Sequence, residues 1–478
     1  GRESDMGSSI VVDHDNNVLV VGTTLSIDFP HYRAMQSVKG DNVDACVIKL
    51  DSSGARIWAT YFGGPNNDYF EDIGCDDAGN SICLGSVGGL NYGEQLQIPL
   101  LRPFQSTGTG SEAVYLKLDS VGQPIFSSFF GGSGWDEASA VAVYPTGEFV
   151  LSGGTNSRDL PTIRARQPNH SGDTQVVWFQ LTEGFIAKFD SGGVPIWSTY
   201  HGGLGGSATS QTEVVRDVAL DQCGNIWLTG MTGATNFPLS NNPFQSVYGG
   251  GFNDIFLSRL DSTGIMTYSS LYGGNQGEVG RTLCVDMDNA VIIGATATTG
   301  APVHNAQYPT PSGGIDVFVL KFDSSRQRQW ATYLGGSADE YVDATACDSR
   351  GLLYFGGYTR SVDFPVFNAF QDTLSLPQYP NDPSAEDAYI TRIRHDGYIP
   401  VALAHVAAAR VGVSVRLDWR SESEVNAHGY IIERRYEHGG GEARSDWSDI
   451  GFVPSASQGM EGRDYFYIDS DPGAPEAR

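Results

Sequence analysis

Apolar residues fall in short runs over residues 1–402, and each run ends in a cluster of Asp, Gly, Asn or Ser. In the first unit, SSIVVD (from Ser8) leads to a turn at HDNN (His14) and then to VLVVG (Val18). A longer loop carrying a glutamine follows. Then come ACVIKL (Ala45), a turn at DSSG (Asp51) and RIWATYF (Arg56). Short apolar runs broken by such turns predict β-hairpins. No stretch of this region has the 3.6-residue period of an amphipathic helix. The expectation is four antiparallel strands per unit, named A to D here.

The unit recurs. A Gly-Gly pair closes it at YFGG (Tyr61–Gly64), FFGG (Phe129–Gly132), YHGG (Tyr200–Gly203), LYGG (Leu271–Gly274) and YLGG (Tyr333–Gly336). The start of the chain fits the same frame, because GRESDMGSSIVVDHDNN aligns with GPNNDYFEDIGCDDAGN and Gly1 matches Gly64. Six units result, the last ending near residue 402. Four-stranded units repeated about an axis predict an all-β fold, a β-propeller with strand A innermost. Strand A carries an apolar column at Ile10, Ile73, Val141, Val218 and Leu283, with Thr345 as the sixth member. The next column is mostly smaller (Val11, Gly74, Ala142, Ala219, Cys284, Ala346), as crowded inner strands require. Both ends of the chain read as cut from something longer, so seven or eight blades stand beside six as expectations.

Several columns carry a resemblance. The patterns W-x-T-Y-x-G-G (Trp58), D-x-x-G-N (Asp76), D-F-P (Asp28) and D-A-x-x-x-K-x-D (Asp44) resemble the bacterial SBBP β-propeller repeat over roughly residues 1–400. The resemblance implies a propeller and a secreted or surface location, with no defined activity. From residue 403 the repeat stops. VSVRLDWRSESEVNAHGYIIERR (Val413), WSDIGFV (Trp447) and DYFYID (Asp464) alternate as strands of a β-sandwich. Leu417-Asp418-Trp419, Ser423-Glu424, Gly429-Tyr430 and Ile432-Glu433-Arg434 resemble the fibronectin-III-like domains of Bacteroidota surface proteins. That resemblance implies cargo of the type IX secretion system. Residues 403–478 hold no candidates for the last two strands, so the sandwich is expected to be incomplete.

Charge narrows the function. Acidic residues outnumber basic ones by 56 to 29, a net charge of −27, which disfavours nucleic acid and anionic membranes as partners. No apolar run is long enough to span a bilayer. G-x-S-x-G, H-E-x-x-H and P-loop patterns are missing, and the histidines are scattered. The sequence therefore predicts a chain that is not an enzyme. It would be an extracellular or cell-surface protein that binds a glycan or a surface protein, or that assembles with itself. A carbohydrate-active enzyme on a propeller scaffold is the alternative.

Four sets of residues are candidates for chemistry. The acids that open strand A (Asp5, Asp68, Asp136, Glu213, Glu278, Glu340) are expected near the mouth of the channel, where six carboxylates would suit Ca²⁺. The alternative is that each accepts hydrogen bonds from turn amides of its own blade. Strand C carries an acid and, five residues on, a base: Asp44/Lys49, Glu112/Lys117, Glu183/Lys188, Asp254/Arg259, Asp316/Lys321 and Asp387/Arg392. The odd spacing puts the two on opposite sides of the strand, so each must pair elsewhere in the scaffold. The A–B turns at Asp13, Asp76, Asp221 and Asp286 lack the full Ca²⁺-loop pattern and read as plain hairpin turns. The B–C loops are long and unlike one another, and their aromatics Trp178, Tyr248, Tyr308 and Tyr379 would suit a glycan. Alternatively they pack under their own loops.

Cys46, Cys75, Cys83, Cys284 and Cys347 share columns with apolar residues and are expected as buried free thiols, with Cys223 in a turn. A Cys75–Cys83 cross-strand bridge is the one disulfide this reading entertains.

Overall fold

The computed structural model describes residues 1–89, 94–172, 182–203, 213–348, 351–366, 369–371, 373–374 and 386–393, and beyond them residues 403–411, 414–421, 429–434, 448–454 and 464–470. These residues form strands and turns without a helix. Blade 1 is β1 (Asp5–Val12), β2 (Val18–Thr24), β3 (Asp44–Leu50) and β4 (Arg56–Phe62). Blade 2 is β5 (Asn67–Cys75), β6 (Ser81–Gly88), β7 (Ser111–Leu118) and β8 (Pro124–Phe130). Blade 3 is β9 (Asp136–Val143), β10 (Phe149–Thr155), β11 (Glu183–Phe189) and β12 (Pro195–His201). Blade 4 is β13 (Val214–Leu220), β14 (Ile226–Thr232), β15 (Asp254–Leu260) and β16 (Met266–Tyr272). Blade 5 is β17 (Glu278–Val285), β18 (Val291–Ala297), β19 (Asp316–Phe322) and β20 (Arg328–Leu334). Blade 6 is β21 (Glu340–Cys347), β22 (Leu353–Thr359) and β23 (Asp387–Ile393). Within each blade the strands pair in sequence order, all antiparallel. The chain is a β-propeller of successive blades.

The C-terminal strands are β24 (Leu403–Val411), β25 (Ser414–Ser421), β26 (Gly429–Arg434), β27 (Ser448–Pro454) and β28 (Asp464–Asp469). They make one sheet in the order β24-β25-β28 and one hairpin of β26 with β27. Trp419 is buried and stacks on Tyr465 across the β25–β28 ladder.

The apolar columns explain how blades join. Five core clusters each straddle two neighbouring blades. Ile73 of blade 2 packs among Leu19 and Val47 of blade 1. Val141 does the same with Tyr115 of blade 2, Val218 with Ile186 of blade 3, and Leu283 with Leu257 of blade 4. The inner strand of each blade from 2 to 6 therefore lies on the sheet before it. The Trp of strand D extends the contact outward. Trp58 donates from Nε1 to Ser120 O in the C–D turn of blade 2, and its ring lies against Gly122. At φ +84°, with a Cβ that would stand 2.8 Å from the ring, that turn position requires glycine. Trp197 reaches Ser262 O of blade 4 in the same way.

Five of the strand C bases find their partners in the A–B turn of their own blade. Lys49 meets Asp13 at 2.8 Å, Lys117 meets Asp76 at 3.2 Å, Arg259 meets Asp221 at 3.1 Å and Lys321 meets Asp286 at 2.9 Å. The same aspartates accept amides of their own turn, as Asp13 does from Asp15 and Asn17. One carboxylate thus closes the A–B hairpin and neutralises a buried lysine, which would be costly to leave unpaired. In blade 3, Tyr144 stands at the turn position. Glu148 pairs with Lys188 at 2.9 Å, and the ammonium lies 4.3 Å from the Tyr144 ring centre.

The thiol expectation is corrected at one pair. Cys284 and Cys347 form a disulfide between β17 and β21, the inner strands of blades 5 and 6, with Cα atoms 6.4 Å apart. Column alignment compares equivalent positions and does not show which columns of adjacent blades face each other. Cys46, Cys75, Cys83 and Cys223 are free. Cys75 opposes Ser81 rather than Cys83, so the register gives no cross-strand bridge there.

Candidate functional site

The six inner strands share one irregularity. Each ladder with strand B skips a residue: the register shifts between Gly7 and Ser9, Phe70 and Asp72, Ala138 and Ala140, Val215 and Asp217, Gly280 and Thr282, and Val342 and Ala344. The skipped residues are Ser8, Glu71, Ser139, Arg216, Arg281 and Asp343. A β-bulge leaves its extra residue outside the ladder and re-aims its side chain. All six line the central channel, a cavity of about 1740 Å³.

Their chemistry is uneven around the ring. Glu71 on β5 and Glu137 on β9 put two carboxyls on the wall of blades 2 and 3. Arg216 on β13 and Arg281 on β17 put two guanidinium groups on the wall of blades 4 and 5. Arg281 is engaged: it donates to Val342 O at 2.9 Å and pairs with Asp343 at 3.2 Å. Among the described residues, the side chains of Glu71, Glu137 and Arg216 make no hydrogen bond or ion pair. Enclosure by the ring pushes the Glu71 carboxyl up, and like charge from Glu137 and Asp72 adds to the effect. Enclosure also lowers Arg216, reinforced by Arg281, although a guanidinium stays protonated.

Two more acids brace this wall. Asp72 accepts from Ser9 Oγ at 2.7 Å and from Val141 N at 2.7 Å, and so ties blades 1, 2 and 3 together. Asp217 accepts Leu283 N of blade 5 at 2.6 Å. Burial and the Asp72 charge push its carboxyl up to about 7. At one mouth, Trp135 exposes nearly half of its surface beside Asn156, Arg158 and His170. An indole face beside hydrogen-bonding groups is a platform for the C–H face of a sugar.

The acids that open strand A have other work. Gly64 N donates to Asp68 at 2.8 Å, Gly132 N to Asp136 at 2.7 Å, Gly203 N to Glu213 at 2.8 Å, Gly274 N to Glu278 at 3.0 Å and Gly336 N to Glu340 at 2.8 Å. Asp5 holds the amino group of Gly1 in the equivalent place. A strand B threonine adds a second donor: Thr24 to Asp5, Thr155 to Asp136, Thr232 to Glu213 and Thr359 to Glu340. Asp68, Asp136, Glu213, Glu278 and Glu340 are buried in the D-to-A crossings and do not line the channel. This is the geometry of acceptors for their own blade. Among the described residues, no group of three or more His, Cys, Asp or Glu side chains is arranged to hold a metal ion.

Each of these acids also faces the strand C acid of the preceding blade. A Cβ placed on Gly131 would stand 1.8 Å from Glu112 Oε2 and 2.6 Å from Asp136 Oδ2. Gly63 lies between Asp44 and Asp68 in the same way, and Gly335 lies between Asp316 and Glu340. Glycine is needed there because two carboxyls occupy the space. The loop glutamine completes the crossing, as Gln36, Gln105, Gln167 and Gln245 accept the amide of the first glycine. Burial and the facing charge push Asp68 up to about 8 and Glu112 up to about 9.

The loop aromatics do not gather into a sugar platform. Tyr248 and Tyr308 are partly buried and pack against the cores of blades 3 to 6, because their loops fold back onto the blades. Trp178 and Tyr379 lie outside the described residues. Sequence columns missed the bulge residues because they were aligned for sameness. Three residues after the strand A acid, the sequence reads Ser, Glu, Ser, Arg, Arg, Asp. That chemical variety inside a repeating strand was the available signal.

No family model matches the chain. Regulatory protein FlaEY of Caulobacter vibrioides is 25% identical over 311 residues, 62% of this chain and 28% of that protein. The chain thus spans less than a third of the length of that relative. Among solved structures, a mutant apocarotenoid oxygenase of Synechocystis aligns with 73% of this chain and 65% of its own at 13% identity and TM-score 0.30. A lignostilbene dioxygenase of Pseudomonas brassicacearum aligns with 88% of each chain at 9% identity and TM-score 0.33. A glycoside hydrolase covers 84% of this chain and 91% of its own at 9% identity and TM-score 0.27. The expectation that the chain is not an enzyme is corrected on this finding: the oxygenase and the dioxygenase are enzymes, so the exclusion of catalysis is withdrawn. At these scores the likeness assigns no activity to this chain.

Proposed function

We propose that this chain is a carbohydrate-binding β-propeller whose ligand enters the central channel past Trp135. One observation carries the reading: six bulges in register aim two serines, two arginines, a glutamate and an aspartate into one channel, while the surrounding columns repeat. A scaffold needs its repeated residues in every blade, whereas a binding site needs differences between them. Carboxyls at Glu71 and Glu137 would accept sugar hydroxyls. Arg216 would take a carboxylate or hydroxyl oxygen in the forked geometry that guanidinium offers. An acidic sugar fits this wall best.

An extracellular or cell-surface setting is part of the proposal. The Cys284–Cys347 disulfide supports it, since such bonds persist in oxidising compartments. The recurring W-x-T-Y-x-G-G and D-F-P columns support SBBP-type repeats, and Leu417-Asp418-Trp419 supports a fibronectin-III-like C-terminal module carried by type IX export. The test is an array of acidic and neutral oligosaccharides and charged peptides, read for retention and for product. Retention of oligosaccharides that the Arg216→Ala variant loses supports the reading. Retention confined to peptides would replace the glycan with a protein partner.

A further inference from the structure

The blades leave one interface unmatched. Blade-to-blade packing joins β1 to β5, β5 to β9, β9 to β13, β13 to β17 and β17 to β21, and among the described residues no comparable packing joins β21 to β1. In four of these interfaces, one column of strand A meets one column of strand C: Val47 with Ile73, Tyr115 with Val141, Ile186 with Val218 and Leu257 with Leu283, all buried. The same two columns end on Ile390 in blade 6 and begin on Ile10 in blade 1. Ile390 is 85% exposed and Ile10 is 66% exposed. Had blade 6 met blade 1 directly, these two would have covered each other. Beside Ile390, β23 is the edge strand of a three-stranded sheet among the described residues.

We propose that the gap between blades 6 and 1 is a docking site for one further four-stranded blade of this same repeat. Such a blade offers an inner strand to Ile390 and a sheet face to Ile10, and each half continues a column pairing already built four times in the ring. Exposed isoleucines in matched positions on both sides of a gap are an interaction surface, not scattered surface residues. Completion of the ring would also enclose the channel wall at Ser8 and Asp343, which flank the opening.

The test uses the full chain with Cys223→Ser, carrying Ile10→Cys or Ile390→Cys, and follows alkylation of the new thiol. A second pair of chains carries a copy of residues 64–131 placed ahead of Gly1, which keeps the repeat in frame. In the chain without the copy, both thiols should react freely. With it, both should slow by at least about tenfold, because reaction would then require the docked blade to open, and the melting temperature should rise. Protection of both thiols in the monomeric chain without the copy would overturn the proposal, since residues of this chain would already fill the gap. Protection that grows with concentration, together with dimer elution, would assign the surface to a second copy instead. An unchanged rate in a folded chain that carries the copy would also overturn it.

Discussion

Glu71 and Arg216 occupy the same step of two different inner strands: each is the residue that a β-bulge leaves outside the ladder, and each faces the central channel. Neither side chain bonds another described residue, so the charges stand ready for something that enters.

Replacement of these two should separate binding from stability. Glu71→Gln and Arg216→Ala remove channel charges that support no strand pairing, so unfolding free energy should stay within about 0.5 kcal/mol of the parent. Affinity for a channel ligand should fall, for Arg216→Ala by the roughly 10- to 100-fold of a lost charged hydrogen bond. Titration calorimetry beside thermal melts measures both.

The acid pairs at the blade junctions should make the ring sensitive to base. Asp68, Glu112, Glu213 and Glu278 are raised to about 8, 9, 8 and 7, in each case chiefly by burial. The folded state therefore holds protons that the unfolded chain has already released above the ordinary carboxyl range. Stability falls as pH rises whenever the native state binds more protons, here from about pH 4 until the raised values are passed near pH 9. The melting temperature should drop steadily between pH 6 and 9. Glu112→Gln should flatten part of that slope, because an amide in this place carries no proton to lose. A melting temperature that rises over this window with added Ca²⁺ would instead put a cation between the carboxyls.

The hairpins and the blade order were legible because turns and apolar columns recur at fixed steps, as in Asp51 to Gly54 and Ile73 to Leu283. The Cys284–Cys347 bond was not, because it joins different columns of neighbouring blades, and one blade's pattern does not show which columns touch. Glu71 and Arg216 were passed over for a related reason. A bulge shifts the in-and-out alternation by one step, so strict period-2 reading puts these residues on the wrong face. The strand A acids were legible too, and the sequence offered both a cation ring and acceptors for amides of their own blade; Gly64 N and its equivalents donate to them.

The disulfide should hold blade 6 in place. It closes a sequence separation of 63 residues, which in the chain-entropy account is worth about 4 kcal/mol. Cys284→Ser, or reduction of the parent, should accelerate amide exchange in β21 to β23 before other blades respond. Equal acceleration in all blades would show that blade 6 is not a separate unit.

Two glycines should respond in opposite ways to the same change. A Cβ on Gly64 would stand 2.0 Å from the Gln97 carbonyl oxygen, so Gly64→Ala must move backbone and should cost about 1–3 kcal/mol. A Cβ on Gly88 meets nothing within 4 Å, and Gly88→Ala should be close to neutral. Denaturant titration of both variants compares them directly.

The central claim is that the channel holds the ligand, and the most direct measurement compares the parent with a Glu71→Gln/Arg216→Ala double variant on the oligosaccharide array. The account predicts retention of acidic oligosaccharides by the parent and its loss in the double variant, with both proteins melting at the same temperature. Equal retention by the two, or none by the parent on any acidic or neutral oligosaccharide, would contradict it.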